Sequence, residues 1–285
     1  MIQYKRHLTH NKQGAVCIMI PMIYVQLKSI VTQLCNQFKI VEQTPTTGRP
    51  RAISQLDALT LALYQHQSTR LTKKSVYEDF KETLKCSYKT LVLAMNKAAL
   101  TALRLLFIIM RLGKKYSHIV KYTDSTDMPV CLKKNADSHK TMQGLSGWGR
   151  SSKGWFFGLK MTITRDYDGN LLAVKFTAPG ANDRDIFRTI NQDITGIIAA
   201  DAGYVSKQLE QDMYIENKRF ILIKPYKTMR KLVTQWQEQI YKGRFKIEFD
   251  FRDLKLFHGL LTSLPRSIEG YLANYIHALT SFVLA

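Results

Sequence analysis

Two short apolar runs, each ending on an aspartate, limit what this chain can become. Residues 119–123 (IVKYT) lead into Asp124, and residues 197–200 (IIAA) lead into Asp201. Runs of this length and β-branched content read as buried strands. A carboxylate at the end of a buried strand is costly unless something pairs with it. Strand ends in α/β sheets are also where sites collect. Each aspartate taken singly reads slightly better as a helix cap or an exposed turn acid.

The surrounding pattern extends the sheet. Residues 155–164 and 171–177 are β-rich and flank DYDGN at 166–170, a hairpin turn. Asn182 is placed to cap a helix over 182–190. A helix near 205–216, a strand at 220–223 and a long helical stretch from about Met229 follow. The order β-β-β-α-β-α-β-α predicts a mixed α/β, ribonuclease-H-like domain over residues 116–285. Upstream the texture is helical: 23–40, a helix after the capping Ser54, 74–84 and 87–110, with a loop at 43–51 (QTPTTGRPR). Residues 1–115 therefore read as an N-terminal all-helical domain.

Charge divides along the same line. Lys and Arg number 42 against 22 acids, a net +20. Residues 1–115 hold 18 basic and 5 acidic residues, whereas 116–285 hold 24 and 17. A field of that sign points to a polyanion, so the basic helical front reads as a DNA-binding region, or as a bundle that braces the rest. The four cysteines form no CxxC pair and suit reduced intracellular thiols. The apolar stretch 15–25 is short, contains Pro21 and has no cleavage site after it, so a signal peptide is not expected. No stretch reads as long enough for a membrane span, and a cytoplasmic protein is the expectation.

A third acid comes from the C-terminal segment. Tyr241, Arg244, Glu248 and Lys255 lie within about 60° of one another on a continuous helix turning about 100° per residue. Phe245, Ile247, Phe249, Phe251, Leu254 and Leu256 fill the other faces, which predicts a largely buried helix with one polar stripe. A solvated stripe is the bland alternative. Asp250 and Asp253 fall roughly 180° and 120° from Tyr241, so Glu248 is the acid that shares the stripe, and Asp127 is set aside as a decoy for Asp124.

The Tyr241, Arg244, Glu248, Lys255 spacing resembles the YREK signature of bacterial insertion-sequence transposases, the DDE type. Asp124-Ser125-Thr126 with Pro129-Val130-Cys131, residues 149–160 (GRSSKGWFFGLK), Asp201-Ala202-Gly203-Tyr204 and Gly48-Arg49-Pro50 through Leu63 resemble motifs of the insertion-sequence 982 family. The resemblance runs from about residue 25 onward. Residues 1–18 have no counterpart, so Met19 or Met22 is a candidate start, and the end at Ala285 falls in an apolar helical stretch.

What the resemblance implies is a DNA transposase that cuts at element ends and joins the freed 3′-hydroxyls to target DNA. Asp124, Asp201 and Glu248 would be catalytic and would hold two Mg²⁺ about 4 Å apart, with Mn²⁺ able to substitute. Asp124 would bridge the ions. Arg244 and Lys255 would grip phosphates beside Tyr241, and Arg150 and Lys153 would touch the DNA backbone or form a solvated hairpin tip. Trp148 suits packing better than stacking on an unpaired terminal base. The partner would be double-stranded DNA, bound by a homodimer in the bacterial cytoplasm at the nucleoid, with no membrane. An inactive DNA-binding relic and a ribonuclease-H-like nuclease are the alternatives.

Overall fold

The computed structural model describes residues 4–11, 14–40, 50–68, 70, 72–204, 206–217, 219–223 and 234–285. Most of the loop expected at 43–51, and residues 229–233 of the expected helical stretch, lie outside the described residues. In chain order the elements are β1 (Tyr4–Asn11), β2 (Gly14–Pro21), α1 (Met22–Gln37), α2 (Gln55–Gln67), α3 (Lys73–Phe80), α4 (Tyr88–Tyr116), β3 (Val120–Pro129), β4 (Gly147–Ser151), β5 (Gly154–Asp166), β6 (Leu171–Thr177), α5 (Asp183–Ile190), β7 (Ile197–Ala200), α6 (Lys207–Asn217), β8 (Phe220–Ile223), α7 (Gln235–Lys242), α8 (Phe245–Leu256) and α9 (Ile268–Val283). Two compact units divide the chain. One is residues 1–107 with 254–260 and 265–285, and the other is 108–253 with 261–264.

Helical periodicity builds the first unit. Leu27, Val31 and Cys35 recur every fourth residue on α1, and Leu91, Met95, Ala98, Ala102 and Leu105 repeat on α4 at alternating four- and three-residue steps. Both stripes meet α2, which is buried on every side from Ala58 to His66. The Ser54 side chain accepts from the Asp57 N–H at 2.9 Å, the cap its position in the sequence predicts. A β1–β2 hairpin, for which no element was expected, precedes α1.

The last helix belongs here as well. The Gln67 side chain donates to the Ser281 carbonyl at 3.1 Å, and the Thr280 hydroxyl donates to the Ala102 carbonyl at 3.4 Å. The expected 116–285 domain is therefore shorter at its C-terminal end, because the buried face of α9 completes the helical core instead. A second correction concerns α4. Its 29 residues are long and apolar enough to cross a membrane by length and composition, contrary to the sequence expectation. That apolarity is partly explained by the five α4 residues sealed in the helical core.

The second unit is a mixed sheet. Strands run in the order β6–β5–β3–β7–β8, with β4 pairing the start of β5. β3, β5 and β6 are antiparallel neighbours, whereas β7 and β8 run parallel to β3. α5 carries the chain from β6 to β7, and α6 from β7 to β8, the crossovers that parallel pairing requires. This order and these directions are the ribonuclease-H-like arrangement, and the mixed α/β class is as expected. Phe187 and Ile190 of α5 and Leu209 and Met213 of α6 pack with Ile198 and Ala200 of β7 on one face. Asn182 caps α5 through the Arg184 N–H, as predicted.

Candidate active site

The register of the parallel pair sets the site. Tyr122 on β3 pairs with Ala199 on β7, so Asp124 and Asp201, each two residues further along, stand level on adjacent chain segments. The two are not in the same setting. β7 ends at Ala200 and Asp201 opens a one-turn 3₁₀ segment, Ala202–Tyr204. Asp124 was expected just past a strand end, but β3 runs on to Pro129 and Asp124 pairs with Ile163 of β5. The long antiparallel partner keeps β3 extended after the short parallel one has stopped. At Gly158 this pairing is so close that a Cβ would fall 2.0 Å from the Met128 carbonyl oxygen.

Strand alternation sends Tyr122 and Asp124 to one face, and Thr123, Ser125 and the decoy Asp127 to the other. On the second face the Ser125 hydroxyl shares hydrogen bonds with Tyr204 at 2.9 Å and Thr162 at 2.7 Å. The Tyr204 ring rests 5.0 Å from that of Phe187. The serine beside the first aspartate thus ties down the tyrosine that follows the second. These are positioning residues, and sequence reasoning assigned them no role beyond motif membership.

On the first face lies the joint between α7 and α8. The sequence expectation was one continuous helix from Met229, and the described part breaks at Gly243. Three-residue hydrogen bonds tighten the joint, from the Arg244 N–H to the Tyr241 carbonyl and from Ile247 to Arg244. Glycine is required there, since a Cβ would lie 2.0 Å from the Tyr122 hydroxyl oxygen. Tyr241 therefore sits on α7, Arg244 in the joint and Glu248 in the first turn of α8, so the angular argument for a single helix does not hold. Lys255 falls in the 254–260 segment of the helical unit. Nor is α8 largely buried: Ile247, Phe251 and Leu254 are sealed, but Phe245, Phe249 and Leu256 are exposed.

Convergence survives the break. Arg244 Nη1 donates to Asp124 Oδ2 at 2.7 Å, and Nη2 donates to Glu248 Oε1 at 3.3 Å. The Arg244 guanidinium also lies 5.7 Å from the Tyr241 ring centroid. Burial pushes the Asp124 carboxyl up to about 6; the Ser125 N–H and the Arg244 charge oppose this, while the charges of Asp201 and Glu248 reinforce it. Asp124, Asp201, Glu248, Arg244 and Tyr241 thus share one electrostatic neighbourhood. Arg244 was expected on a DNA phosphate; here its donors face the carboxylates, and its buried Nε has no hydrogen-bond partner among the described residues.

The donor set is three hard carboxylates, which suits Mg²⁺ or Mn²⁺. The guanidinium between Asp124 and Glu248 supplies the positive charge such a cation would bring. Among the described residues, no three His, Cys, Asp or Glu side chains stand in ligating geometry as they are. Charge and chemistry fit a divalent ion, and the carboxylates would have to draw together around it.

The rival acids are accounted for. Both oxygens of Asp250 accept from Arg165 Nη1 at 2.7 Å, and Asp253 lies 3.6 Å from Arg252 Nε. Arg150 and Lys153 are exposed on the β4–β5 hairpin, Arg150 on β4 and Lys153 in the turn.

The model of the transposase DDE domain matches residues 114–266. The chain belongs to that family. Among solved structures it is similar to the Mos1 mariner paired-end complex with Mn, at 11% identity over 78% of this chain and 85% of that one, with a TM-score of 0.23. Similarity to the Mos1 strand transfer complex is 12% identity over 86% and 81%, with a TM-score of 0.25. Superpositions this loose say nothing about individual residues. Among curated protein sequences none matches the chain significantly.

Proposed function

We propose that this chain is the transposase of a bacterial insertion sequence of the 982 family, cutting DNA at the element's ends and joining them to target DNA. The observation that carries the reading is the convergence of Asp124, Asp201 and Glu248 at the β3–β7 switch from antiparallel to parallel pairing. It gathers acidic oxygens from three distant chain positions, as in-line attack on an anionic phosphodiester demands.

Asp124, Asp201 and Glu248 would hold the divalent ions. Two such ions stabilise the entering and leaving oxygens and lower the pKa of the attacking water or hydroxyl. The chain's own contribution is to hold the acids together and to keep a guanidinium beside them. Asp124 is positioned by the Ser125–Tyr204 contact and must lose its proton to bind. Arg244 neutralises Asp124 and Glu248, and where divalent ions took over that charge its guanidinium would be available to a DNA phosphate, with Tyr241 packed beside it. Lys255, Arg150 and Lys153 add backbone contacts. The working form is a homodimer on double-stranded DNA, in the cytoplasm at the nucleoid, with the basic helical unit supplying docking charge.

The test is incubation with DNA carrying the inverted repeats that flank the reading frame, with and without Mg²⁺. Mg²⁺-dependent 3′-hydroxyl ends and joined products are expected. Binding without cleavage would leave a repressing relic, and cleavage without joining would leave a nuclease.

A further inference from the structure

The β4–β5 hairpin presents two different faces. Opposed residues of an antiparallel pair share a face, so the pairings Trp148↔Phe157 and Arg150↔Trp155 gather these four side chains on one side. The other side is made flat by glycine: a Cβ on Gly149 would lie 2.5 Å from Pro179 and 2.8 Å from the Phe156 ring. Phe156 is buried there, whereas Trp148 and Trp155 are 46% and 55% exposed. Large aromatic side chains normally bury their area, and here the sheet seals one ring and turns two tryptophans outward.

Packing explains only part of that outer face. The Trp148 ring meets Phe157 edge-on, with centroids 5.6 Å apart, which props it upright. Cations border the aromatics: Arg150 lies directly across from Trp155, and Lys153 is exposed in the turn. Aromatic faces interleaved with cations are the composition of a stacking platform for single-stranded nucleic acid. A purely apolar partner would leave the cations unmatched.

We propose that this hairpin face binds a DNA strand through its unpaired bases, stacking them on Trp148 and Trp155 while Arg150 and Lys153 hold the phosphates. The idea rests on the transposase reading only for naming DNA as the polymer. Along β5, Phe157 and Trp155 lie six and eight residues from Ile163, the partner of Asp124, or roughly 20–26 Å at about 3.3 Å per residue. At about 3.4 Å per stacked nucleotide, the platform meets bases roughly six to eight nucleotides from the phosphate at Asp124. The platform therefore takes a separated strand rather than the terminal base at the cut.

The full-length chain carrying Trp236→Phe leaves the two hairpin tryptophans as its only indoles. With Glu248→Gln added and no divalent metal present, it is titrated with oligothymidylate and with a blunt duplex of equal length. Oligothymidylate should quench the tryptophan fluorescence more than the duplex does. Trp148→Ala or Trp155→Ala should each weaken single-strand binding roughly five- to a hundred-fold, with duplex affinity nearly unchanged. Tyrosine at either position should restore most of the affinity, and Arg150→Ala should lower the salt slope by about one. No quenching in the parent protein overturns the proposal without any substitution at the hairpin. Equal losses on both DNAs also overturn it, as does altered self-association with single-strand affinity unchanged. Because neither metal nor Glu248 is needed, failure of cleavage is read separately.

Discussion

Two arginine–carboxylate contacts bind the α7–α8 region to the sheet, and they are built in opposite ways. Arg165 of β5 and Asp250 of α8 form a closed pair with side chains 9% and 13% exposed. Arg165 Nη1 meets both Asp250 oxygens, and its Nε donates to the Asp166 carbonyl at 3.1 Å. At Asp124 a single arginine is shared among acids. It serves Asp124 and the half-exposed Glu248, senses Asp201, and leaves its own Nε unsatisfied among the described residues. One contact balances its charges and closes, whereas the other shares one guanidinium between two carboxylates. The first arrangement suits a contact that holds the fold, and the second is where the proposed cation would bind.

Substitutions should separate the two contacts. Glu248→Gln should reduce Mg²⁺-dependent cleavage to background while stability moves by no more than about 0.5 kcal/mol, because Glu248 sits at the surface edge of its contact. Binding assays on element-end DNA should show affinity retained. Asp250→Ala should do the reverse, costing about 3–5 kcal/mol through the stranded Arg165. Denaturant melts would measure that loss, and whatever fraction folds should still cleave. Comparable effects on stability from both substitutions would erase the distinction.

A smaller effect follows from the Asp124 carboxyl, held up to about 6 by burial. It must be ionised to take a cation, so cleavage should fall about tenfold per pH unit below 6 and level off above it. Stability runs the opposite way. Folding favours the protonated form, so this group's contribution to stability is full below the ordinary carboxylate pKa and is lost as pH rises through about 6. A pH–rate profile that stays flat from 5 to 8 would show that Asp124 does not titrate there. The smallest change is expected for Asp253→Asn, which should leave most activity intact in the same cleavage assay.

Sequence pattern made the sheet legible because burial and period coincide there. IIAA and the runs on either side of DYDGN are short, β-branched and punctuated, and they became β7, β5 and β6. The two aspartates were legible for the same reason. The third acid was read from a spacing on one helix that the molecule breaks at Gly243, and its neighbourhood with Asp124 comes from tertiary contact through Arg244. The glycine was visible between Lys242 and Arg244, but the reason for it, a tyrosine hydroxyl 2.0 Å from where its Cβ would be, belongs to β3. The allegiance of α9 was equally out of reach. An apolar helix at the chain's end shows how much it must bury, not which core will take it.

The central claim, that Asp124, Asp201 and Glu248 are gathered to hold divalent metal, is tested most directly by Mn²⁺ binding measured by electron paramagnetic resonance. Free Mn²⁺ is followed in titrations of the parent chain, Asp201→Asn, Glu248→Gln and Asp250→Asn near neutral pH. The expected result is saturable binding by the parent and by folded Asp250→Asn, weakened at least about tenfold in the other two, which is about 1.4 kcal/mol. Equal Mn²⁺ affinity in the parent, Asp201→Asn and Glu248→Gln would contradict it.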